Sequence, residues 1–245
     1  MWAKRERMVL YVRRKIGILG GMSPESTVTY YEYITRAYTE RYGDLGYPEV
    51  LIYSVSFQEY VDWQRAGEWD LAAEHMAAAL ERLRAAGADF GLIATNTMHI
   101  VFEEVQRHVR MPLLSIVDVT AEAIETAGLK TVGLLGTVFT MRRKFFKEGL
   151  GAHGIGVRTP NEADQDLVNT IIYDELCHGR IRDESRARLL GVIGKLRDSG
   201  AEGVVLGCTE LPLLVSPDDC DTPLFNTTIL HAEKALQFAV APVQS

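Results

Sequence analysis

Gly203-Val204-Val205-Leu206-Gly207-Cys208-Thr209-Glu210 is an apolar run closed by a glycine, followed by a thiol, a hydroxyl and a carboxyl. A short run of this kind fits a β-strand buried on both faces, and its polar end predicts a direct turn into a helix. The chain says nearly the same thing 113 positions earlier. There Arg84-Ala85-Ala86-Gly87-Ala88-Asp89 leads into Leu92-Ile93-Ala94-Thr95-Asn96-Thr97, as Arg197-Asp198-Ser199-Gly200-Ala201-Glu202 leads into the later copy. Arg84 falls on Arg197, Gly87 on Gly200 and Thr95 on Cys208. Ile16-Gly17-Ile18-Leu19-Gly20-Gly21 returns as Val132-Gly133-Leu134-Leu135-Gly136-Thr137 at an offset of 116, and Pro112-Leu113-Leu114 as Pro223-Leu224-Phe225 at 111. Three echoes in the same order predict an α/β fold of two pseudo-symmetric halves. Each half is a mostly parallel four-stranded sheet flanked by helices, with an active site in the cleft between them.

Working outward, strands are expected at 16–21, 50–55, 90–94 and 112–116, then at 132–137, 155–158, 203–207 and 223–225. Ser23 and Pro24 signal a helix start, an N-cap hydroxyl followed by proline at the first helical position. That helix is predicted to reach about residue 42. A long alanine-rich helix ends at Gly87, and others are expected near 98–109, 118–127, 162–177, 183–198 and 229–240. No Pro/Gly/Ser-rich linker separates the halves, so they should pack tightly with a boundary near Ile116. The division is 1–116 with 225–245 as the first half and 117–224 as the second. The last helix is compatible with either half, and a swap back onto the first would tie the chain ends together.

Composition bounds the function. The chain has 245 residues, 47% hydrophobic and 24% charged, ordinary values for a globular protein with a sizeable core. A formal charge of -7 argues against a nucleic-acid binder, which normally carries a basic face. No apolar stretch approaches the roughly 20 residues that span a bilayer. Three cysteines without a CxxC favour a reducing cytoplasm over secretion. Residues 1–14 are basic, and their apolar run at 8–12 is too short for a signal-peptide core. They are expected to form a mobile extension.

In open α/β sheets, ligands bind beyond the carboxyl ends of the strands. Four segments lie there: Gly21-Met22-Ser23, Thr95-Asn96-Thr97, Thr137-Val138-Phe139-Thr140 and Cys208-Thr209-Glu210. All are rich in hydroxyls, and each is expected to open a helix whose N-terminus suits a carboxylate or phosphate. The first glycine turn is not a GxGxxG fingerprint and no Walker A lysine is present, so a small carboxylate is favoured over a nucleotide. Cys208 is the sharper feature. A thiol at a helix N-terminus is expected to have its thiolate stabilised by the dipole, which makes it a usable base or nucleophile. Cys177 and Cys220 lack this context and are assigned structural roles. The six histidines show no metal-ligand spacing.

Gly20-Gly21-Met22-Ser23-Pro24-Glu25-Ser26-Thr27, Thr95-Asn96-Thr97-Met98-His99 and Gly207-Cys208-Thr209-Glu210 together resemble the aspartate/glutamate racemase family, over nearly the whole chain from Lys15. The resemblance implies a cofactor-independent amino-acid racemase or epimerase, without metal, in which two residues on opposite faces of the α-carbon exchange its proton. It implies a small amino-acid substrate, most simply aspartate or glutamate, and a homodimer. Cys208 matches the second catalytic cysteine. The first normally stands immediately before Asn-Thr, where this chain has Thr95. A hydroxyl is a poor base but can donate or relay a proton. The chain is therefore expected to be handed, fast on one enantiomer. A subgroup of the family is similar in having threonine here and the stretch Gln64-Arg65-Ala66-Gly67-Glu68-Trp69-Asp70, with Gln64 expected on a loop over the substrate.

The same resemblance gives Asn96, Thr97 and Thr209 the α-carboxylate, Met22 the wall, and Thr137 and Thr140 the ammonium or carboxylate. Glu210 is open between stabilising a cation and capping its own helix, and His99 is expected to make a structural hydrogen bond. Members that prefer aspartate use basic residues for the side-chain carboxylate, and no unambiguous equivalent stands out here. Two alternatives stay open: a maleate-isomerase-like or malonate-decarboxylase-like enzyme on the same scaffold, and a non-catalytic amino-acid-binding module.

Overall fold

β1 (Ile16–Gly20) is buried along its whole length and pairs in parallel with β2 (Val50–Ser54) on one side and β3 (Phe90–Ile93) on the other. β3 in turn pairs in parallel with β4 (Leu113–Leu114), giving the order β2-β1-β3-β4. β5 (Thr131–Gly136), β6 (Gly156–Arg158), β7 (Gly203–Gly207) and β8 (Leu224–Asn226) repeat that order as β6-β5-β7-β8, again all parallel. The two sheets are thus topological copies, with β3 and β7 equivalent. The structure, a computed structural model, describes residues 13–242; the predicted extension at 1–12 lies outside them. Arg13 and Arg14, assigned to that extension by sequence, are instead docked. Arg14 donates from its backbone to Ala239 and from its guanidinium to Phe238 O (2.7 Å). Arg13 lies over the Tyr38 ring.

The helices follow local chemistry. α1 (Pro24–Tyr42) starts at the Ser23 cap with proline at its first position and ends at Gly43 in the left-handed region. α2 (Phe57–Ala66) was not anticipated. α3 (Trp69–Ala85) buries Ala72, Ala73, Met76, Ala79, Leu80 and Leu83, a period of three and four, against the first sheet. α4 (Phe102–His108) is preceded by a 3₁₀ turn at Thr97–Val101. α5 (Ile116–Thr126) starts on the Ser115 cap, two residues earlier than expected. α6 (Val138–Arg142) opens on the Thr137 cap, as the hydroxyl-rich turn after β5 predicts, and α7 (Lys144–Ala152), which follows it, has no counterpart in the sequence reading.

The helix expected over 162–177 is broken. α8 (Glu162–Thr170) gives way to a π turn at Ile171–Glu175 and a 3₁₀ turn at Leu176–His178. The β-branched run Thr170-Ile171-Ile172 crowds the regular ladder there. α9 (Asp183–Asp198) is as predicted. After β7 the sequence predicts a helix, but the chain makes only a 3₁₀ turn, Leu211–Leu213. Ser216-Pro217 lies just beyond, and the residue before proline is pushed away from the helical region.

Each sheet borrows its last helix from the other half. α5 follows β4 but packs on the second sheet, with Ile116, Ala121 and Ile124 against Val132, Leu134 and Val205. α10 (Thr227–Val240) follows β8 but packs with α1 on the first sheet, with Ala232, Ala235, Leu236 and Ala239 against Ile16, Ile18, Tyr30 and Leu92. Phe225 and Asn226 belong to β8 and hence to the second sheet, so the crossing point falls after them rather than at 225. His231 on α10 fixes the exchange: Tyr30 donates to its Nδ1 (2.8 Å), and its Nε2 donates to Leu114 O (2.9 Å). Burial of this neutral imidazole lowers its pKa to about 4.

Candidate active site

A cavity of about 30 Å³ opens where β1, β3, β5 and β7 end, between the two halves. Thr95, beyond β3, and Cys208, beyond β7, both line it, as their equivalent positions in the two copies require. Met22, Gln64, Asn96, Thr97, Thr137, Thr209 and Glu210 line it too. Thr140 does not. Its side chain is fully buried, its hydroxyl is 3.3 Å from that of Thr137, and its methyl packs beside Gly207. Gln64 reaches the cavity from the last turn of α2 rather than from a loop, and its amide donates to Met98 Sδ (3.2 Å).

Phe57, Ile172, Tyr173 and Cys177 complete the wall and were not recognised by sequence. The last three sit on the π and 3₁₀ turns, an irregularity that no residue pattern announces. Cys177, read as structural, faces the same cavity as Cys208, and burial with the nearby Glu210 charge pushes its thiol up to about 12.

Cys208 is not the dipole-stabilised thiolate that sequence suggests. No α-helix follows it, and it is only 7% exposed. Burial, then the Glu210 carboxylate, hold its thiol well above the usual range. Its Sγ donates to Glu210 Oε2 at 3.0 Å. Thr209 donates to the same oxygen (2.8 Å), and Ser23 donates to Oε1 (2.6 Å). Glu210 is therefore neither a helix cap nor exposed to a cation; it is a carboxylate satisfied by three donors. Ser23, which also caps α1, makes that contact from the first half. A second bridge joins Thr97 and Thr137 hydroxyls at 3.0 Å.

The Thr95 side shows no counterpart to Glu210 among the lining residues. His99, the nearest imidazole in sequence, is occupied by backbone. Its Nδ1 donates to Thr95 O (2.8 Å) and its Nε2 accepts from Ile116 N (3.1 Å), which fixes the tautomer. Burial and the neighbouring His231 lower its pKa to about 3. This imidazole holds the Thr95 backbone in place and has no lone pair to spare for a substrate.

Asn96 is ordered by a similar chain of donors. Thr227 Oγ1 donates to Leu206 O (3.0 Å), so it can only accept from Asn96 Nδ2 (3.0 Å). That leaves Asn96 Oδ1 buried without a partner, in a residue 2% exposed. An unsatisfied buried acceptor costs about 1–3 kcal/mol.

Residues 19–235 match the family described as Asp/Glu/Hydantoin racemase. The chain belongs to that family. Among solved structures, it is 41% identical to a Yersinia pestis protein provisionally named an Asp/Glu racemase, with a TM-score of 0.87 over 93% of this chain and 100% of that one. It is 38% identical to an aspartate racemase homologue from Pyrococcus horikoshii, with a TM-score of 0.82 over the same shares. Among curated relatives, the broad specificity amino-acid racemase RacX of Bacillus subtilis is 32% identical over 160 residues, 64% of this chain and 69% of its own length. The Asp/Glu racemase structures share the two-sheet architecture seen here, so the family assignment and the internal duplication describe the same object.

Among the described residues no group of three or more His, Cys, Asp or Glu side chains could hold a metal ion, and no helix is long and apolar enough to cross a membrane.

Proposed function

We propose that this chain is a cofactor-independent amino-acid racemase that moves the α-proton with Cys208 on one face of the substrate and Thr95 on the other. The observation that carries this reading is the Cys208–Glu210 contact, 3.0 Å, at a strand end whose duplicate position, Thr95, lines the same cavity. Abstraction needs a thiolate, and burial opposes one. Glu210 resolves this, since it can take the Sγ proton directly, so that charge moves between two groups without leaving the site. Cys208 then removes the α-proton. The Thr95 hydroxyl supplies a proton from the far face; a solvent proton then restores the hydroxyl and Glu210 releases to solvent the proton it took, so the cycle closes with Thr95 as a relay rather than a base.

The α-ammonium is assigned to Asn96 Oδ1, because the unpartnered atom is an acceptor. This differs from the carboxylate role that the sequence motif suggests for Asn96. Thr97 and Thr209 remain the donors proposed for the α-carboxylate, with Met22 and Gln64 as walls and Thr137 holding Thr97. A space of about 30 Å³ holds one or two waters at most, so the halves must part to admit an amino acid.

The test is hydrogen exchange. Each enantiomer of the common amino acids is incubated with the protein in D2O, and the α-proton signal is followed by NMR. Exchange is expected, faster for one enantiomer. If no amino acid exchanges from either enantiomer, the chain is not a racemase and the binding-module reading replaces it.

A further inference from the structure

We infer that Ser23 is a positioning residue: its hydroxyl, carried by the first half, completes the proton acceptor of Cys208 in the second, so that the base is assembled when the halves shut. The inference rests on the racemase reading above and asks what readies its base. Ser23 is buried and stands at the N-terminus of α1. Its carbonyl accepts from the Ser26 and Thr27 hydroxyls (2.9 and 3.0 Å), and Thr27 Oγ1 accepts in turn from Gly21 N (2.8 Å). The Ser23 side chain accepts from Ser26 N (3.4 Å) and gives its single proton to Glu210 Oε1 (2.6 Å). The positive end of a 19-residue helix therefore meets a carboxylate of the other half.

The contact has a twin. Under the duplication β1 answers to β5 and β3 to β7. The Ser23–Glu210 bond joins the turns after β1 and β7, and the Thr137–Thr97 bond joins the turns after β5 and β3. Of these two bridges between the halves, the first alone carries a group bonded to the Cys208 thiol.

The halves must part to admit an amino acid, and parting breaks both bridges. Glu210 Oε2 accepts from Cys208 and Thr209, and the donor on Oε1 is Ser23. With Ser23 withdrawn, the carboxylate is free to turn about its last side-chain bond and take Oε2 off the Sγ. Closure restores the alignment: the S–H bond breaks, an O–H bond forms at Oε2, and the negative charge passes from carboxylate to sulfur. Proton removal is thereby confined to the shut form, with the substrate already enclosed.

The experiment measures kcat and KM for α-proton exchange, with the amino acid the wild-type chain exchanges fastest, and stability by denaturant titration. It compares the wild-type chain with Ser23→Gly, Ser23→Ala, Ser23→Thr, Glu210→Gln and the double variant Ser23→Gly/Glu210→Gln. Glycine caps a helix nearly as well as serine and alanine does not, yet neither has a hydroxyl. Both should lower kcat by about tenfold to a hundredfold with KM little changed, although Ser23→Ala is the less stable. Ser23→Thr should restore most of the rate. In the Glu210→Gln background, Ser23→Gly should cost no more than about twofold, because Ser23 acts through the carboxylate. Without turnover, iodoacetamide should alkylate Cys208 several-fold faster in Ser23→Gly than in the wild-type chain or Ser23→Thr, since the reagent reaches the thiol when the halves part. Losses of kcat that track stability, a matching rise in KM, or the full loss repeated in the Glu210→Gln background would reduce Ser23 to a helix cap or a substrate contact. Each overturns the inference while leaving the racemase reading intact, as does an unchanged alkylation rate. No exchange by the wild-type protein overturns that reading itself.

Discussion

In the proposed mechanism the asymmetry between enantiomers comes from Cys208 and Glu210. The thiol has a carboxylate 3.0 Å away, while Thr95 has no acid or base beside it in the cavity lining. Replacing Cys208 with alanine or serine is expected to abolish exchange from both enantiomers in the D2O assay. Glu210→Gln should cut kcat by about a hundredfold or more, the usual range for a lost proton acceptor. It should also move the pH midpoint for alkylation of Cys208 downward. The sign follows from the cause: the carboxylate raises the thiol's pKa, so neutralising it makes the thiolate easier to form. An unchanged midpoint, read by mass spectrometry of the Cys208 peptide after iodoacetamide treatment, would remove Glu210 from the proton path. Thr95→Cys should bring the two enantiomers' rates closer together. If it leaves the bias intact, a different residue sets the handedness.

At the scale of elements, the strand ends were legible and the irregular turns were not. The three echoed pairs exposed β1, β3, β4, β5, β7 and β8, while the edge strands β2 and β6 were legible only as short β-rich runs, since they are partly exposed and have no echo of their own. The same echo predicts a shared site for Thr95 and Cys208, and both line one cavity. What it could not show was that Ser216-Pro217 would stop a helix after Cys208, or that residues 171–178 would leave the regular ladder and carry Tyr173 and Cys177 to the cavity. Thr140 was misassigned because a symmetric pattern does not distinguish a residue that faces a cleft from one that backs it.

The turn after β1 gives an element-scale test. Gly21 has φ +93, and an added Cβ would lie 2.5 Å from Val55 O. Gly43 has φ +72 with nothing within 4 Å. Gly21→Ala is therefore expected to destabilise by about 2 kcal/mol or more, and Gly43→Ala by about 1 kcal/mol, in denaturant titrations. Equal losses would mean that the crowding at Gly21 relaxes without cost.

For the molecule as a whole, two buried imidazoles link stability to acidity. His99 and His231 hold folded pKa values of about 3 and about 4 against an ordinary 6.5. Below 6.5 the unfolded chain takes up protons that the folded chain refuses. Stability should therefore fall as pH drops from 6.5 toward 4, by up to about 1.4 kcal/mol per pH unit for each histidine, and should be insensitive to them above 6.5. Melting temperatures between pH 7 and 4.5 should show this slope, and His231→Gln should flatten it. A His231→Gln slope as steep as the original would place the acid sensitivity elsewhere.

The reciprocal loan of α5 and α10 also has a temporal side. A ribosome delivers β1, α1 and β3 early and α10 after everything they must pack with. Until then Ile16, Ile18 and Leu92 lack the alanine face of α10, and Asn96 lacks Thr227. The first half of the gene product therefore cannot mature as a finished unit while translation proceeds, and the catalytic cleft closes only once the last helix has been made.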